Sequence, residues 1–253
     1  MNAFRELLRM LNQLQHLLKR SLAEIAGFKK PVVHELTEME LYGVSLDVSS
    51  ISTVVKRSIY NGVYEKAEVE MCKAIVTTED RILELGGAIG FVGIYCQKML
   101  GVIDYYTVEA NPECLNLLKR NYALNGLEPR FLEAAFGPVR GEIDFYIHND
   151  FWESSAIVQN GNSVKKKITA MGLPLLEILN VMPFVCSTMI VDIEGGERFM
   201  SPCDIPKHIK KLVIELHPQM SGISEMFNYL AQLNKAGFEV VDYISTTYAL
   251  VRP

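Results

Sequence analysis

The chain has 253 residues, of which 49% are hydrophobic and 22% are charged, and this composition excludes a long disordered or fibrous protein. Its formal net charge is −5 at pH 7 with a pI near 5.6, which argues against a nucleic-acid partner held through its phosphates. The five cysteines form no Cys-x-x-Cys pair, so we expect free thiols in a reducing, cytoplasmic compartment.

The first 30 residues differ from the rest of the chain, because they carry six basic side chains and only two acidic ones. Leucines recur every three or four positions over residues 2–26, which predicts one amphipathic helix ending at Gly27. We expect this helix to pack on the main domain or on a second copy of the chain, giving a homodimer. Contact with a membrane surface is the less favoured alternative. The chain therefore divides into an N-terminal helical extension, residues 1–55, and a main domain, residues 56–253.

The main domain alternates short apolar strands with helical segments. The expected strands are 81–85, 104–108, 129–133, 142–147, 188–191, 211–216, 238–244 and 247–251. The expected helices are 64–76, 91–100, 112–125, 173–179 and 224–236. This alternation predicts an α/β fold with a parallel sheet covered on both faces, and the last two strands add an antiparallel hairpin. The charged run Lys165–Lys167 is expected to be a solvated turn.

A glycine-rich turn follows the first strand of this series. The segment Arg81–Gly90 lacks the third glycine of the dinucleotide fingerprint, so it does not match the pattern of NAD-binding proteins. It does contain Glu-x-Gly-x-x-x-Gly, at Glu84, Gly86 and Gly90, which resembles the first motif of Rossmann-like S-adenosylmethionine (SAM) methyltransferases. In an open parallel sheet such a turn lies where ligands bind, at the carboxyl ends of the strands.

Acidic residues end two further strands. Glu109 closes the second strand, 19 residues after Gly90, where a carboxylate can accept both ribose hydroxyls of a nucleoside. The segment Asp192–Glu197 follows the strand 188–191 and places three carboxylates, Asp192, Glu194 and Glu197, around a Gly-Gly turn. Such a group can deprotonate a hydroxyl or hold a divalent cation such as Mg²⁺. His217, at the end of the next strand, is a further candidate proton acceptor.

With these motifs in this order, the chain resembles the FkbM family of SAM-dependent methyltransferases. The resemblance rests on Glu-Leu-Gly-Gly-Ala-Ile-Gly at 84–90, Val-Glu-Ala-Asn-Pro at 108–112, Glu-Ala-Ala-Phe-Gly at 133–137 and Val-Asp-Ile-Glu-Gly-Gly-Glu at 191–197, and Ile-Glu-Leu-His at 214–217 agrees with it. It covers about residues 60–251. One departure is that the first motif usually begins with Asp.

The resemblance implies a Rossmann-like fold with a mostly parallel seven-stranded sheet, and O-methylation of a hydroxyl on a small molecule or saccharide. The chemistry of the residues agrees, because Asp192, Glu194 or His217 could accept the proton of the hydroxyl, and these three are the catalytic candidates. The residues expected to hold SAM are Glu84, Gly86, Gly87, Ala88 and Gly90 at the turn, Glu109 and Ala110 at the ribose, Glu133, Ala134 and Ala135 beside the adenine, and Tyr64 and Glu65 closing over the cofactor. Ser154 and Ser155 match a serine-rich stretch of the family near the site.

Three other functions compete with O-methylation of a hydroxyl. An NAD-dependent oxidoreductase would share the sheet and the acidic strand end, and a non-catalytic SAM-fold binding module would share every motif. A methylase of nucleic-acid bases is set aside, because such enzymes usually carry Asp/Asn-Pro-Pro-aromatic where this chain has Asp192-Ile-Glu-Gly. The residues do not identify the acceptor.

Overall fold

The structure is a computed structural model that describes residues 32–148 and 164–253. The predicted helix 2–26, with the homodimer expected from it, and Ser154 and Ser155 lie outside the described residues. Val33–Glu35 form a short 3-10 turn in a first unit that ends at Leu36, and residues 37–253 form a second unit.

The second unit contains both helices and strands. The helices are α1 (Thr53–Asn61), α2 (Lys66–Ile75), α3 (Phe91–Met99), α4 (Pro112–Leu124), α5 (Leu175–Val181), α6 (Pro218–Ser221) and α7 (Ile223–Lys235). The strands are β1 (Glu38–Leu41), β2 (Val44–Asp47), β3 (Arg81–Leu85), β4 (Asp104–Glu109), β5 (Phe131–Glu133), β6 (Ala135–Phe136), β7 (Gly141–His148), β8 (Val164–Leu173), β9 (Thr188–Val191), β10 (Lys211–Glu215), β11 (Glu239–Ile244) and β12 (Thr247–Val251).

In the described part of the chain, seven strands form the main sheet in the order β11-β12-β10-β9-β3-β4-β5. Strands β10, β9, β3, β4 and β5 pair in parallel, and β12 pairs antiparallel with both β10 and β11. The expected Rossmann-like methyltransferase architecture, a mostly parallel seven-stranded sheet with a C-terminal antiparallel hairpin, is therefore confirmed. The direction of winding reverses between β3 and β9, and ligands bind in the crevice at such a switch point.

The central strands are apolar because helices cover both faces of the sheet. All four residues of β9 are buried, and Ile82 and Leu83 of β3 are fully enclosed. A strand of this kind has no polar face to place in water. The first polar side chains after each strand therefore gather at its end, and this concentrates the functional groups along one edge of the sheet.

The stretch before residue 56 is not only a helical extension. Residues 38–47 form the β1–β2 hairpin, whose turn places Tyr42 and Gly43 at positive φ. Asn121 of α4 accepts a hydrogen bond from the backbone amide of Asp47 (2.7 Å), and Asn125, which caps the end of α4, accepts one from the amide of Ser45 (3.0 Å). The hairpin therefore packs on the sheet-bearing unit, which begins at Thr37 rather than at residue 56.

The charged run Lys165–Lys167 lies in strand β8 and not in the expected turn. This strand pairs antiparallel with β7 and parallel with β6, forming a second sheet of described strands. Its lysines are exposed, and Lys167 forms an ion pair with Asp144 across the ladder at 2.8 Å. The run of lysines shows no strand-like alternation of apolar and polar residues, because this part of the β7–β8 pair is solvated and needs no apolar face. The helix predicted from residue 173 begins at Leu175, since Leu173 still belongs to β8 and Pro174 caps the helix.

Among the described residues, no helix is both long enough and apolar enough to cross a lipid bilayer.

Candidate active site

The turn after β3 lies directly against the loop after β9. Gly86 has φ +89°, and a Cβ atom there would overlap the backbone carbonyl oxygen of Asp192. The Gly86 amide also donates to the Val108 carbonyl oxygen of β4 at 2.9 Å. Glycine is therefore needed at position 86 because two chain segments meet there, and this contact fixes the two loops relative to each other.

The other motif glycines are required by packing on β4 and α4. A Cβ at Gly87 would overlap the methyl group of Thr107, and a Cβ at Gly90 would come within 2.9 Å of Leu118 and Tyr122. Neither glycine lines the cavity described below. We expected Gly87 and Gly90 to let a ligand approach the backbone closely. The structure shows that they instead let neighbouring parts of the chain pack closely.

A cavity opens where the two loops meet, at the carboxyl ends of β3, β4 and β9. It is lined by residues from these strand ends, from the second sheet and from the start of helix α2, namely Glu65, Leu85, Gly86, Ala88, Val108, Glu109, Ala110, Ala134, Ala135, Phe136, Phe145, Asp192, Ile193, Glu194 and Gly196. The expected cofactor residues Glu65, Gly86, Ala88, Glu109 and Ala110 are among them, together with the pair Ala134 and Ala135. The expected catalytic residues Asp192 and Glu194 lie on the same wall.

Glu109 is held in place by backbone amides on both of its oxygens. Ala88 donates to Oε2 at 2.8 Å, and Asn111 donates to Oε1 at 2.6 Å. Burial raises the pKa of Glu109 to about 7, although these amide bonds act in the opposite direction. A carboxylate has about four acceptor positions, so Glu109 keeps acceptor capacity for a ligand in the cavity.

Four of the other expected cofactor residues are placed elsewhere. Glu84 is buried behind the turn, where its Oε2 accepts the Thr107 hydroxyl at 2.5 Å, and burial raises its pKa to about 7. Tyr64 is buried with its ring 5.6 Å from that of Phe91. Glu133 is exposed at the end of β5. Gly90 caps helix α3. None of these four residues lines the cavity.

A histidine and three carboxylates meet at the base of the loop after β9. His217 is 3% exposed, and its Nε2 lies 3.5 Å from Asp192 Oδ1 and 3.4 Å from Glu194 Oε2. Its Nδ1 lies 3.3 Å from Oε1 of buried Glu197, and the same oxygen accepts the His217 backbone amide at 2.9 Å. The predicted trio Asp192, Glu194 and Glu197 is thus divided, with Glu197 on the far side of the imidazole ring.

Negative charge is crowded in this group. Burial opposes a charge on His217, but the carboxylates of Glu194 and Glu197 and the charge of Asp192 raise its pKa to about 12. Burial, followed by the charges of Glu215 and Glu194, raises the pKa of Asp192 well above its usual range. Burial and the charge of Glu68 raise the pKa of Glu215 to about 7. The neighbouring carboxylates therefore favour the imidazolium form of His217, which has no lone pair to accept a proton.

Backbone strain is concentrated around the cavity. Five described residues other than glycine have positive φ, and three of them line the cavity: Glu65 (+48°), Ala88 (+42°) and Glu194 (+47°). A positive φ costs a residue with a Cβ atom roughly 1–3 kcal/mol, and such positions cluster at functional sites. No sequence signal marks them, because glycine would be the favoured residue at each.

The apolar side of the cavity was not predicted from the sequence. Phe136 of β6 and Phe145 of β7 contribute ring surface to it, and Ile193 contributes a side chain between the two catalytic candidates. Phe136 lies inside the motif at 133–137, so that motif could have indicated it. Phe145 could have been found only by knowing which face of β7 packs on Ala110 and Ala135.

Comparisons with known proteins give fold-level likenesses only. No protein-family model matches the chain, and no curated protein matches it either. Solved structures similar to it include a methyltransferase from Pyrococcus furiosus (12% identity, 95% of each chain, TM-score 0.44) and precorrin-6y C5,15-methyltransferase from Geobacter metallireducens (11%, 74% of this chain and 86% of the other, 0.43). A third is M. jannaschii TYW2 in complex with AdoMet (16%, 86% and 84%, 0.41). The FkbM resemblance stays a prediction.

Proposed function

We propose that this protein is a SAM-dependent methyltransferase that methylates a hydroxyl group on a small molecule or saccharide. The observation that carries the proposal is the arrangement of carboxylates around one cavity. Glu109 is fixed by the amides of Ala88 and Asn111 on one side, and Asp192 and Glu194 stand on the neighbouring loop. A nucleoside that carries a cationic group suits this arrangement. Its hydroxyls can donate to Glu109, and its positive charge is attracted by the carboxylates.

The charge of the cavity favours SAM over a dinucleotide. Glu65, Glu109, Asp192 and Glu194 line it, and no Lys, Arg or His is among the described residues that do so. A pyrophosphate in this cavity would face carboxylates with no cation beside them, whereas the sulfonium and ammonium groups of SAM would be attracted by them. Glu109 has acceptor positions left for the two ribose hydroxyls, and Ala134 and Ala135 give a flat apolar surface for the adenine.

When bound, SAM supplies an electrophilic methyl group on a sulfonium sulfur. The chain then has to hold the acceptor hydroxyl and take up its proton. His217 is already protonated at neutral pH, so this task passes to Asp192 or Glu194. The raised pKa of Asp192 makes its carboxylate a stronger base than an ordinary one. His217 then holds the two carboxylates in place from below.

Aromatic and acidic side chains both line the cavity. Phe136 and Phe145 provide ring faces, and the acidic residues repel a phosphorylated acceptor. A saccharide or another neutral polyol can stack on a ring face while its hydroxyl reaches Asp192. This supports an uncharged small molecule over a nucleic acid, in line with the net charge of −5.

Two experiments test the proposal against its alternatives. Calorimetric titration with SAM and with NAD separates a methyltransferase from an NAD-dependent oxidoreductase, and we expect heat of binding with SAM only. Transfer of a labelled methyl group to a panel of sugars, glycans and other hydroxyl compounds, with tRNA as the negative arm, separates an enzyme from a binding module. Binding of NAD without SAM, or labelling of the tRNA alone, would contradict the proposal.

A further inference from the structure

The carboxylate–histidine group below the cavity has the composition and spacing of a metal-ion site. Each of Asp192, Glu194 and His217 offers one ligand atom, and these three atoms lie within 4.8 Å of one another. Two of the ligands face the cavity, so an ion held there would have open coordination positions on the side where a substrate enters.

The distances from His217 Nε2 to the two carboxylates are compatible with three ligands of one ion. A close charge-assisted hydrogen bond between nitrogen and carboxylate spans about 2.7–2.9 Å. The Nε2 atom of His217 is instead 3.5 Å from Asp192 Oδ1 and 3.4 Å from Glu194 Oε2. Two ligands that each lie about 2.1 Å from an ion are separated by about 3.0–3.4 Å in octahedral or tetrahedral geometry.

An oxygen without a hydrogen-bond partner points into the same group. Asp192 Oδ1 is buried and accepts no hydrogen bond from the described residues, although it is the atom that faces His217 Nε2. A buried carboxylate oxygen without a hydrogen-bond partner is unfavourable, because nothing replaces the water it has lost. A cation between Asp192 and His217 would supply the missing interaction.

Glu197 provides the support that a metal-binding histidine normally has. Metal-ligating histidines almost always donate their second ring N–H to a carboxylate or a carbonyl, which fixes the tautomer and the ring orientation. Glu197 is 4% exposed, and its Oε1 lies 3.3 Å from His217 Nδ1 and accepts the backbone amide of the same residue. With Nδ1 engaged in this way, Nε2 is the nitrogen left to face Asp192 and Glu194, and a metal ion bound there would replace the Nε2 proton that these carboxylates otherwise attract.

We propose that Asp192, Glu194 and His217 bind one divalent transition-metal ion, and that Glu197 orients His217 for this role without being a ligand itself. One imidazole and two carboxylates suit Mn²⁺, Fe²⁺ or Zn²⁺ better than Mg²⁺, which prefers an all-oxygen shell. The ion would lie under the cavity floor, where it could lower the pKa of a coordinated acceptor hydroxyl. Metal binding is a separate property from SAM binding, so one can fail without the other.

The test uses the full-length protein, stripped of metal with EDTA and then freed of the chelator. Mn²⁺ is titrated without SAM at pH 8, where histidine ligation is favoured, and bound Mn²⁺ is followed by electron paramagnetic resonance. We expect one Mn²⁺ per chain, at least tenfold weaker binding in His217→Gln, and roughly 10- to 100-fold weaker binding in Glu197→Gln. His208→Gln, at an exposed histidine, is the matched control and should bind as the wild type does.

Two results would overturn the proposal. One is the absence of stoichiometric Mn²⁺ binding, and the other is unchanged affinity in a folded His217→Gln protein, with folding checked by circular dichroism. If His217→Gln does not fold, the wild-type protein decides the question through the spin echo of bound Mn²⁺. Modulation by an imidazole nitrogen supports the site, and its absence contradicts it. Tighter binding of Mg²⁺ than of Mn²⁺ would also contradict the ligand set.

Discussion

The carboxylates at the two ends of strands β9 and β10 have opposite surroundings. At the amino ends, Asp80 accepts hydrogen bonds from the Thr188 hydroxyl at 2.7 Å, the Lys211 ammonium at 2.6 Å and the Thr77 amide at 2.7 Å. At the carboxyl ends, a few residues further along the same strands, Asp192 and Glu215 stand among other acids. A fully paired carboxylate, placed just before β3, therefore lies against one end of these two strands, and crowded carboxylates lie at the other end.

The pKa values move in opposite directions at the two ends. Burial acts against ionisation of Asp80, but Lys211 and Thr188 outweigh it and hold the pKa of Asp80 below its usual value. Burial and neighbouring acids raise the pKa of Asp192. A carboxylate that its neighbours satisfy contributes to the free energy of unfolding. A carboxylate that its neighbours repel lowers that free energy, and its arrangement suits it to a ligand or a proton.

The largest expected effect is on turnover, in Asp192→Asn. This change keeps the shape of the side chain and removes the charge, so we expect labelled-methyl transfer to fall about 10²- to 10⁴-fold with SAM affinity retained. Because one member of a repelling group becomes neutral, the melting temperature should stay the same or rise. Near-normal turnover with the true acceptor would exclude Asp192 as the base, and Glu194→Gln would then be the next variant to measure.

Asp80→Ala should show the reverse pattern. It leaves the Lys211 ammonium and the Thr188 hydroxyl without their acceptor, so we expect a loss of about 2–3 kcal/mol of unfolding free energy, or about 4–12 °C in melting temperature. SAM binding by the folded protein should be unchanged. Asp144→Ala, which removes an exposed ion pair with Lys167, is the control and should cost less than about 1 kcal/mol. Equal losses in the two variants would show that the Asp80 network has no special weight.

Glu109→Ala should weaken SAM binding about 10- to 100-fold, because two ribose hydroxyls lose a charged acceptor. Calorimetry would measure the change, with Glu133→Ala as the control at an exposed acid on the neighbouring strand. SAM affinity that stays unchanged in a folded Glu109→Ala protein would remove the ribose assignment. Gly86→Val is not a clean test of the cofactor, since its side chain would strike the Asp192 backbone before any ligand.

The sequence predicted the parts of the molecule that follow from periodicity. The alternation of apolar strands with helices led to the central sheet, and the acids at the end of β4 and just after β9 led to the cavity. The β1–β2 hairpin and strand β8 escaped prediction, because Asn121 and Asn125 anchor the hairpin from far along the chain and lysines mask the strand. Long-range contacts of this kind leave no local pattern.

The chemistry of the site was harder to predict than its position. The sequence placed Asp192, Glu194 and His217 near one another, but it could not show which side of His217 each acid faces. That depends on the 3-10 turn Gly196–Phe199, which carries Glu197 behind the imidazole ring. The positive φ angles of Glu65, Ala88 and Glu194 likewise arise from tertiary packing.

The smallest predicted effect concerns pH. Burial raises the pKa of Glu109 to about 7, so this carboxyl group is mostly protonated at pH 6 and mostly ionised at pH 8. Only the ionised form offers both oxygens as charged acceptors to the ribose, so SAM affinity should rise with pH over this interval, by at most about tenfold. Calorimetry at pH 6, 7 and 8 would measure it. Glu109→Gln should flatten the dependence.

Glu84 is the control for this pH effect. Burial also raises its pKa to about 7, but its Oε2 is bonded to Thr107 behind the turn and its side chain does not line the cavity. Glu84→Gln should therefore keep the pH dependence of SAM affinity. Both groups have a folded-state pKa above the ordinary 4.5, so each lowers the free energy of unfolding as pH rises from about 4.5 to about 7. If Glu84→Gln abolishes the pH dependence of binding and Glu109→Gln does not, the protonation that controls SAM affinity occurs on Glu84, behind the turn. Glu109 would then act only as a fixed acceptor.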